Sequence, residues 1–169
     1  LGTPMNLSKI GADLGITHEV VQRHIEYLEN SYLAWRCPQR EADAWLARNR
    51  AQDKVYAIDP IIARLAHLRN SSRADVDITL LSEMQLGVAL RRRILSDHPN
   101  AQSDEFLFHV RTPARKEIDF LSEMLAGVAI EGKYSEDGRW RGDAATISAS
   151  TWAGILATRN VFDVRDDKV

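Results

Sequence analysis

The sequence predicts a mixed α/β (α+β) fold in two parts, a small helical unit over about 1–55 and a mixed sheet flanked by helices over about 56–169. Three observations predict it. A short helix, a three-residue turn and an amphipathic helix open the chain, the outline of a helix-turn-helix. A long helical pattern fills 77–95. Three strand-like segments with alternating side chains follow at 105–111, 116–122 and 127–133.

The elements follow in order. Ser8 is an N-cap candidate for a helix over 9–14, and Gly15 ends it. Thr17 caps a second helix from 18 to about 32. Its apolar residues Val21, Ile25, Leu28 and Tyr32 fall on one helical face. "YLAWRCP" reads as a strand that Pro38 stops. The charged stretch 39–54 reads as a loop, or a wing with a helical turn near Trp45. "KVYAID" at 54–59 is a short strand, and Pro60 opens the helix "PIIARLAHLR". The polar segment 69–76 connects to the helix at 77–95, which is apolar on most sides and so expected to be buried. After the three strand-like segments, "SEDGRWRGD" is a turn region, 143–151 a helix and "AGILAT" at 153–158 a strand.

Composition narrows the function classes. Lys plus Arg number 22 and Asp plus Glu 24, a formal net charge of −2. Both halves of the chain are close to neutral, which argues against strong non-specific nucleic-acid binding. A single cysteine, Cys37, fits a reducing, cytoplasmic setting. No apolar run approaches the ~18 residues of a membrane helix, so no membrane partner is expected. The chain opens on Leu1 rather than Met, as a piece of a longer chain would.

The chemistry concentrates in KEIDFLSEMLAGVAIEGK at 116–133. If 116–122 and 128–133 pair antiparallel around a turn near 125, paired residue numbers sum to 250. Asp119 then faces Glu131 and Glu117 faces Lys133, all on one face, with Ile118, Phe120, Val128 and Ile130 on the other. Two carboxylates at that spacing suit a hard cation such as Mg²⁺. Lys133 would point at the same site and orient a nucleophile or stabilise phosphoryl charge. The alternative is a hairpin with its polar face in water and Glu117–Lys133 as an ordinary cross-strand pair. Glu83 lies in the 77–95 helix among Leu80, Leu86, Gly87 and Leu90. A carboxylate there needs an edge position or a partner, such as a metal or Lys133.

A helical Glu (Glu83), a strand Asp (Asp119) and Glu-x-Lys (Glu131, Gly132, Lys133) resemble the PD-(D/E)xK restriction-endonuclease-like superfamily. More narrowly, "LSKIGADLGITHEVVQRHIEYLENSYL", "KVYAIDPIIARL", "LLSEMQLGVALRRR", "VRTPARKEIDFL" and "VAIEGKYSE" resemble the C-terminal region of predicted bacterial and archaeal P-loop ATPases. The resemblance covers about 6–160. It implies a winged-helix domain at 1–55 and an endonuclease-like domain of unknown function at 56–169, with the ATPase domain upstream of Leu1. It also implies DNA as a partner and metal-dependent phosphodiester hydrolysis. Asp119 and Glu131 would be metal ligands, and Glu83 and Lys133 further catalytic residues. Arg111 matches a basic residue that often precedes the Glu-Ile-Asp-Phe segment. Two positions depart from the pattern: Ile118 stands where Pro precedes the Asp, and Gly132 replaces an apolar residue and weakens the strand. The alternative function is a non-catalytic DNA- or protein-binding module on the same fold.

Other motifs read as decoys. GVAIEGK at 127–133 satisfies G-x-x-x-x-G-K, but Tyr134 follows where Ser or Thr should, and the spacer is strand-like, so no ATP site is expected. The outward residues of the second helix, His18, Glu19, Gln22, Arg23, Glu26 and Glu29, make a poor DNA reader and favour docking of a domain or partner. Arg91, Arg92 and Arg93 read as a solvated helix end. The five histidines lack metal-ligand spacing and read as surface or capping residues. "LLSEMQLGVA" and "FLSEMLAGVA" look alike, but one lies in a helix and the other spans a hairpin turn.

Overall fold

A computed structural model describes residues 2–70, 74–100, 106–112, 116–134 and 152–158. Among the described residues the architecture is mixed α+β: four helices and two sheets, one two-stranded and one four-stranded. The helix expected at 143–151 and the turn region before it lie outside the described residues.

Helix α1 (Leu7–Leu14) is capped two residues earlier than expected. Asn6, not Ser8, accepts the Lys9 N–H at 3.0 Å. Gly15 closes the helix at φ 68°. Helix α2 (His18–Asn30) buries Val21 and Ile25. The expected apolar face stops there: Leu28 lies within the helix but outside the core, and Tyr32 lies beyond the helix end at Asn30 and turns the chain at φ 55°. Leu28 is 43% and Tyr32 86% exposed.

Strands β1 (Ala34–Cys37) and β2 (Lys54–Ala57) pair antiparallel, Trp35 opposite Tyr56. Side chains alternate between two cores. Ala34 and Val55 pack with Val21 and Ile25 under the helix pair, while Trp35, Cys37 and Tyr56 pack with Met84, Phe120 and Ile130. The chain near Trp45 bends without a helical turn, and the Arg40 guanidinium lies 4.4 Å from the Trp45 ring centroid. The boundary expected between residues 55 and 56 falls inside β2, and one core joins residues from both sides of it.

Helix α3 (Pro60–Arg69) starts as the sequence predicts, with Pro60 in the first turn and Asp59 accepting the Ile61 N–H. Helix α4 (Ile78–Asp97) buries Met84, Gly87, Val88 and Ile94. It crosses close to the second sheet at Gly87, where a Cβ would sit 2.8 Å from Phe120 Cζ and 2.9 Å from Trp35 Cζ2. That sheet runs β3 (Phe108–Arg111), β4 (Glu117–Leu121), β5 (Ala129–Lys133), β6 (Gly154–Thr158). The first three strands are antiparallel and β6 is parallel to β5. A Gln39–His109 bridge ties the chain after β1 to β3. His109, expected at the surface, is buried in β3, and its Nε2 contacts the Gln52 carbonyl at 3.1 Å.

Candidate functional site

The β4–β5 hairpin has the register the sequence predicts. Phe120 opposes Ile130 and Leu121 opposes Ala129, both sums of 250. A short 3₁₀ turn at Glu123–Leu125 joins them, Ser122 accepting the Met124 N–H and Gly127 standing at φ 68°.

The side-chain alternation differs from the expectation. Phe108 opposes Leu121 but Val110 opposes Ile118, so Asp119 and Phe120 together stand against His109. This is a β-bulge, which re-aims the side chain it inserts. Ile118 joins Leu121 and Ala129 in one cluster, while Phe120 and Ile130 join the α4 side. The four apolar residues expected on one face are therefore divided between two cores.

Beyond the bulge, carboxylates lace the two strands. Glu131 Oε2 accepts the Asp119 backbone N–H at 3.1 Å, and Asp119 Oδ2 accepts the Gly132 N–H at 3.0 Å. Both residues are buried, Asp119 at 7% and Glu131 at 5% exposed, so this end of the hairpin is not a polar face in water. Lys133 lies beside Glu131, Nζ to Oε1 2.8 Å. Glu117, expected opposite Lys133, pairs with Lys54. Gly132 has a packing reason to be glycine: a Cβ there would lie 3.1 Å from Leu86 Cδ2 and 3.9 Å from the Glu83 Cα, so its absence lets α4 sit close over β5.

Glu83 comes from that helix. It meets Lys54 and Tyr56 rather than Lys133: Oε1 accepts from Lys54 Nζ at 2.9 Å and from the Tyr56 hydroxyl at 2.5 Å. Lys54 and Tyr56 are two residues apart on β2 and so share its face. The Lys54 ammonium, 1% exposed, also lies 2.5 Å from Glu117 Oε1 and 3.3 Å from Asp119 Oδ1. Asp119, Glu131, Lys133 and Glu83 are thus linked in one network, and Lys54 and Tyr56 are the members that sequence reasoning missed. The available signal was a lysine and a tyrosine at i and i+2 in a short strand whose neighbours are apolar.

The electrostatics follow from burial. Burial opposes the Lys54 charge, but Asp119 and Glu83 more than offset it and hold the ammonium above its usual range. Burial and then the Asp119 charge raise Glu83, against the opposing pull of Lys54. Burial and Asp119 push Glu131 up to about 7, with Lys133 opposing. Burial and then Glu83 keep the Tyr56 phenol protonated. Four carboxylates (Glu83, Glu117, Asp119, Glu131) meet two ammonium groups (Lys54, Lys133). When all are ionised the network carries two excess negative charges, which fits the donor set of a hard divalent cation. Among the described residues no three His, Cys, Asp or Glu side chains stand close enough to share an ion as placed. Mg²⁺ needs only one or two carboxylates, its other ligands being water or phosphate oxygens.

The other singled-out residues lie elsewhere. Arg111 ends β3, exposed and opposite Glu117. Arg91 stacks over Phe106 at 5.1 Å and Trp35 at 5.6 Å, so only Arg92 and Arg93 read as a solvated helix end. The GVAIEGK segment leads from the turn at Gly127 into strand β5. His18 and Gln22 of α2 line a 630 Å³ cleft with Arg36, Arg50 and Asp53.

A family model described as a domain of unknown function (DUF8612) matches residues 1–74, the stretch from α1 through α3. That match includes Lys54 and Tyr56 but not Glu83, Asp119, Glu131 or Lys133. No curated protein and no solved structure matches the chain. No helix among the described residues is long and apolar enough to cross a membrane.

Proposed function

We propose that this chain is the C-terminal part of a P-loop ATPase-family protein, a winged helix followed by a PD-(D/E)xK endonuclease-like domain, and that it hydrolyses phosphodiesters with Mg²⁺. The observation that carries the reading is the linkage of Asp119, Glu131 and Lys133 at one end of the hairpin. Asp119 and Glu131 would hold the metal, which when bound supplies positive charge to a phosphoryl oxygen. Lys133, held beside Glu131, would orient the attacking water. Glu83, which accepts from Lys54 Nζ at 2.9 Å, would neutralise the ammonium that lies beside Asp119. The helix pair α1–α2 with the β1–β2 hairpin supports the winged-helix part, and DNA as the partner rests on the sequence resemblance, because in the cleft beside α2 Arg36 is paired with Glu29 and lies near Asp53. A cytoplasmic setting is part of the same proposal and rests on the single buried thiol of Cys37.

A second reading, a non-catalytic DNA- or protein-binding module, has its own observation. Lys54 already supplies a buried cation to three carboxylates, as a purely structural cluster would. Calorimetric titration with Mg²⁺ or Mn²⁺ separates the two. The catalytic reading expects one binding event that Asp119→Ala removes while the fold is retained by circular dichroism. Absence of binding to the wild-type chain leaves the module.

A further inference from the structure

Lys54 differs from the other charged groups of the site. It is the most buried of them, and its three ammonium protons face three carboxylates, Glu117 at 2.5 Å, Glu83 at 2.9 Å and Asp119 at 3.3 Å. A buried ammonium persists only where such partners compensate its lost hydration. Its longest contact is with the one residue that the proposed metal site also needs. Asp119 Oδ2 is engaged by the Gly132 N–H, so Oδ1 is the oxygen for which an ammonium and a metal ion would compete. Two cations on one carboxylate repel each other strongly where little water screens them.

We propose that Lys54 sets the metal affinity of the site by competing with the divalent ion for Asp119 Oδ1. It is a positioning residue and not a ligand. When an ion enters, the ammonium withdraws from Asp119 toward Glu83 and Glu117, which hold it more closely and remain to neutralise it. The inference rests on the reading of Asp119 and Glu131 as metal ligands. It makes a demand opposite to that of a merely structural lysine. Loss of a structural lysine would loosen the site and weaken metal binding, whereas loss of a competitor strengthens it.

The test is a calorimetric titration of Mn²⁺ into the whole chain as wild type, Lys54→Met, Lys54→Arg and Asp119→Ala. Lys54→Met should bind at least about tenfold more tightly than wild type, and Lys54→Arg, which keeps the charge, should stay near wild type. Equal or weaker binding by Lys54→Met overturns the inference. If Lys54→Met is unfolded without metal, Mn²⁺ should restore its helical circular dichroism, and failure to restore it overturns the inference as well. The two readings fail separately. Binding by Lys54→Met but not by wild type supports Lys54 as competitor and removes the metal-bound wild type. Binding by wild type, abolished in Asp119→Ala and unimproved in Lys54→Met, leaves the metal site and overturns the role of Lys54. No binding by any variant overturns both.

Discussion

Replacing Glu131 by glutamine should stabilise the metal-free protein, and by an amount that depends on pH. Glu131 is 5% exposed and its carboxyl is raised from 4.5 to about 7 by burial and by Asp119. The folded chain therefore holds a proton that the unfolded chain releases between pH 4.5 and 7. Stability from this group is fully present below pH 4.5 and is lost as pH rises through about 7. At ~1.4 kcal/mol per tenfold, the gap between the two values amounts to about 3 kcal/mol at pH 8. Glutamine resembles the protonated acid: its carbonyl can still accept the Asp119 N–H, and its amide group then faces Lys133, whose partly exposed ammonium can turn to water. Urea unfolding of both proteins in chelator, from pH 4 to pH 8, should show near-equal stability at pH 4 and a lead for Glu131→Gln that grows to about 3 kcal/mol at pH 8. His109 contributes the opposite slope, because its charged form is disfavoured by burial, but both proteins share it and the difference removes it. Saturating Mn²⁺ should erase the lead by stabilising only the wild type. A difference independent of pH, or a glutamine variant less stable at pH 8, would refute the idea that Glu131 is a carboxylate short of positive charge.

Two further substitutions test how the site is held. Gly87→Ala places a methyl within 3 Å of both Phe120 and Trp35, and overpacking of this kind should cost about 1–3 kcal/mol in chemical denaturation. Tyr56→Phe deletes the hydroxyl that donates to Glu83 at 2.5 Å. It should cost about 2 kcal/mol, and a change below about 0.5 kcal/mol would show that Glu83 does not depend on it.

The parts of the site legible in the sequence were local ones. The 250 register followed from the turn and the alternation of 116–133, and the start of α3 followed from Pro60. What stayed hidden depends on contacts between distant residues. Alternating Glu and Asp on a strand look the same whether they face water or are walled in by a helix, so the burial of Asp119 and Glu131 was not visible. The bulge at Asp119–Phe120 arises in the pairing of β4 with β3 and leaves no mark in the hairpin's own pattern. Lys54 meets Glu83, Glu117 and Asp119 across separations of 29 residues and more, and a lysine opening a short strand ordinarily reads as solvated. Gly132 read as a weak point in β5, yet its missing side chain is what admits α4.

The most direct test of metal-dependent hydrolysis is nicking of supercoiled plasmid by the whole chain, with Mg²⁺ and with chelator. Nicking should need the metal and disappear in both Asp119→Asn and Lys133→Met, with the folds intact. Nicking that survives either substitution, or a wild type that binds Mg²⁺ and leaves the plasmid supercoiled, would contradict metal-dependent hydrolysis at this site.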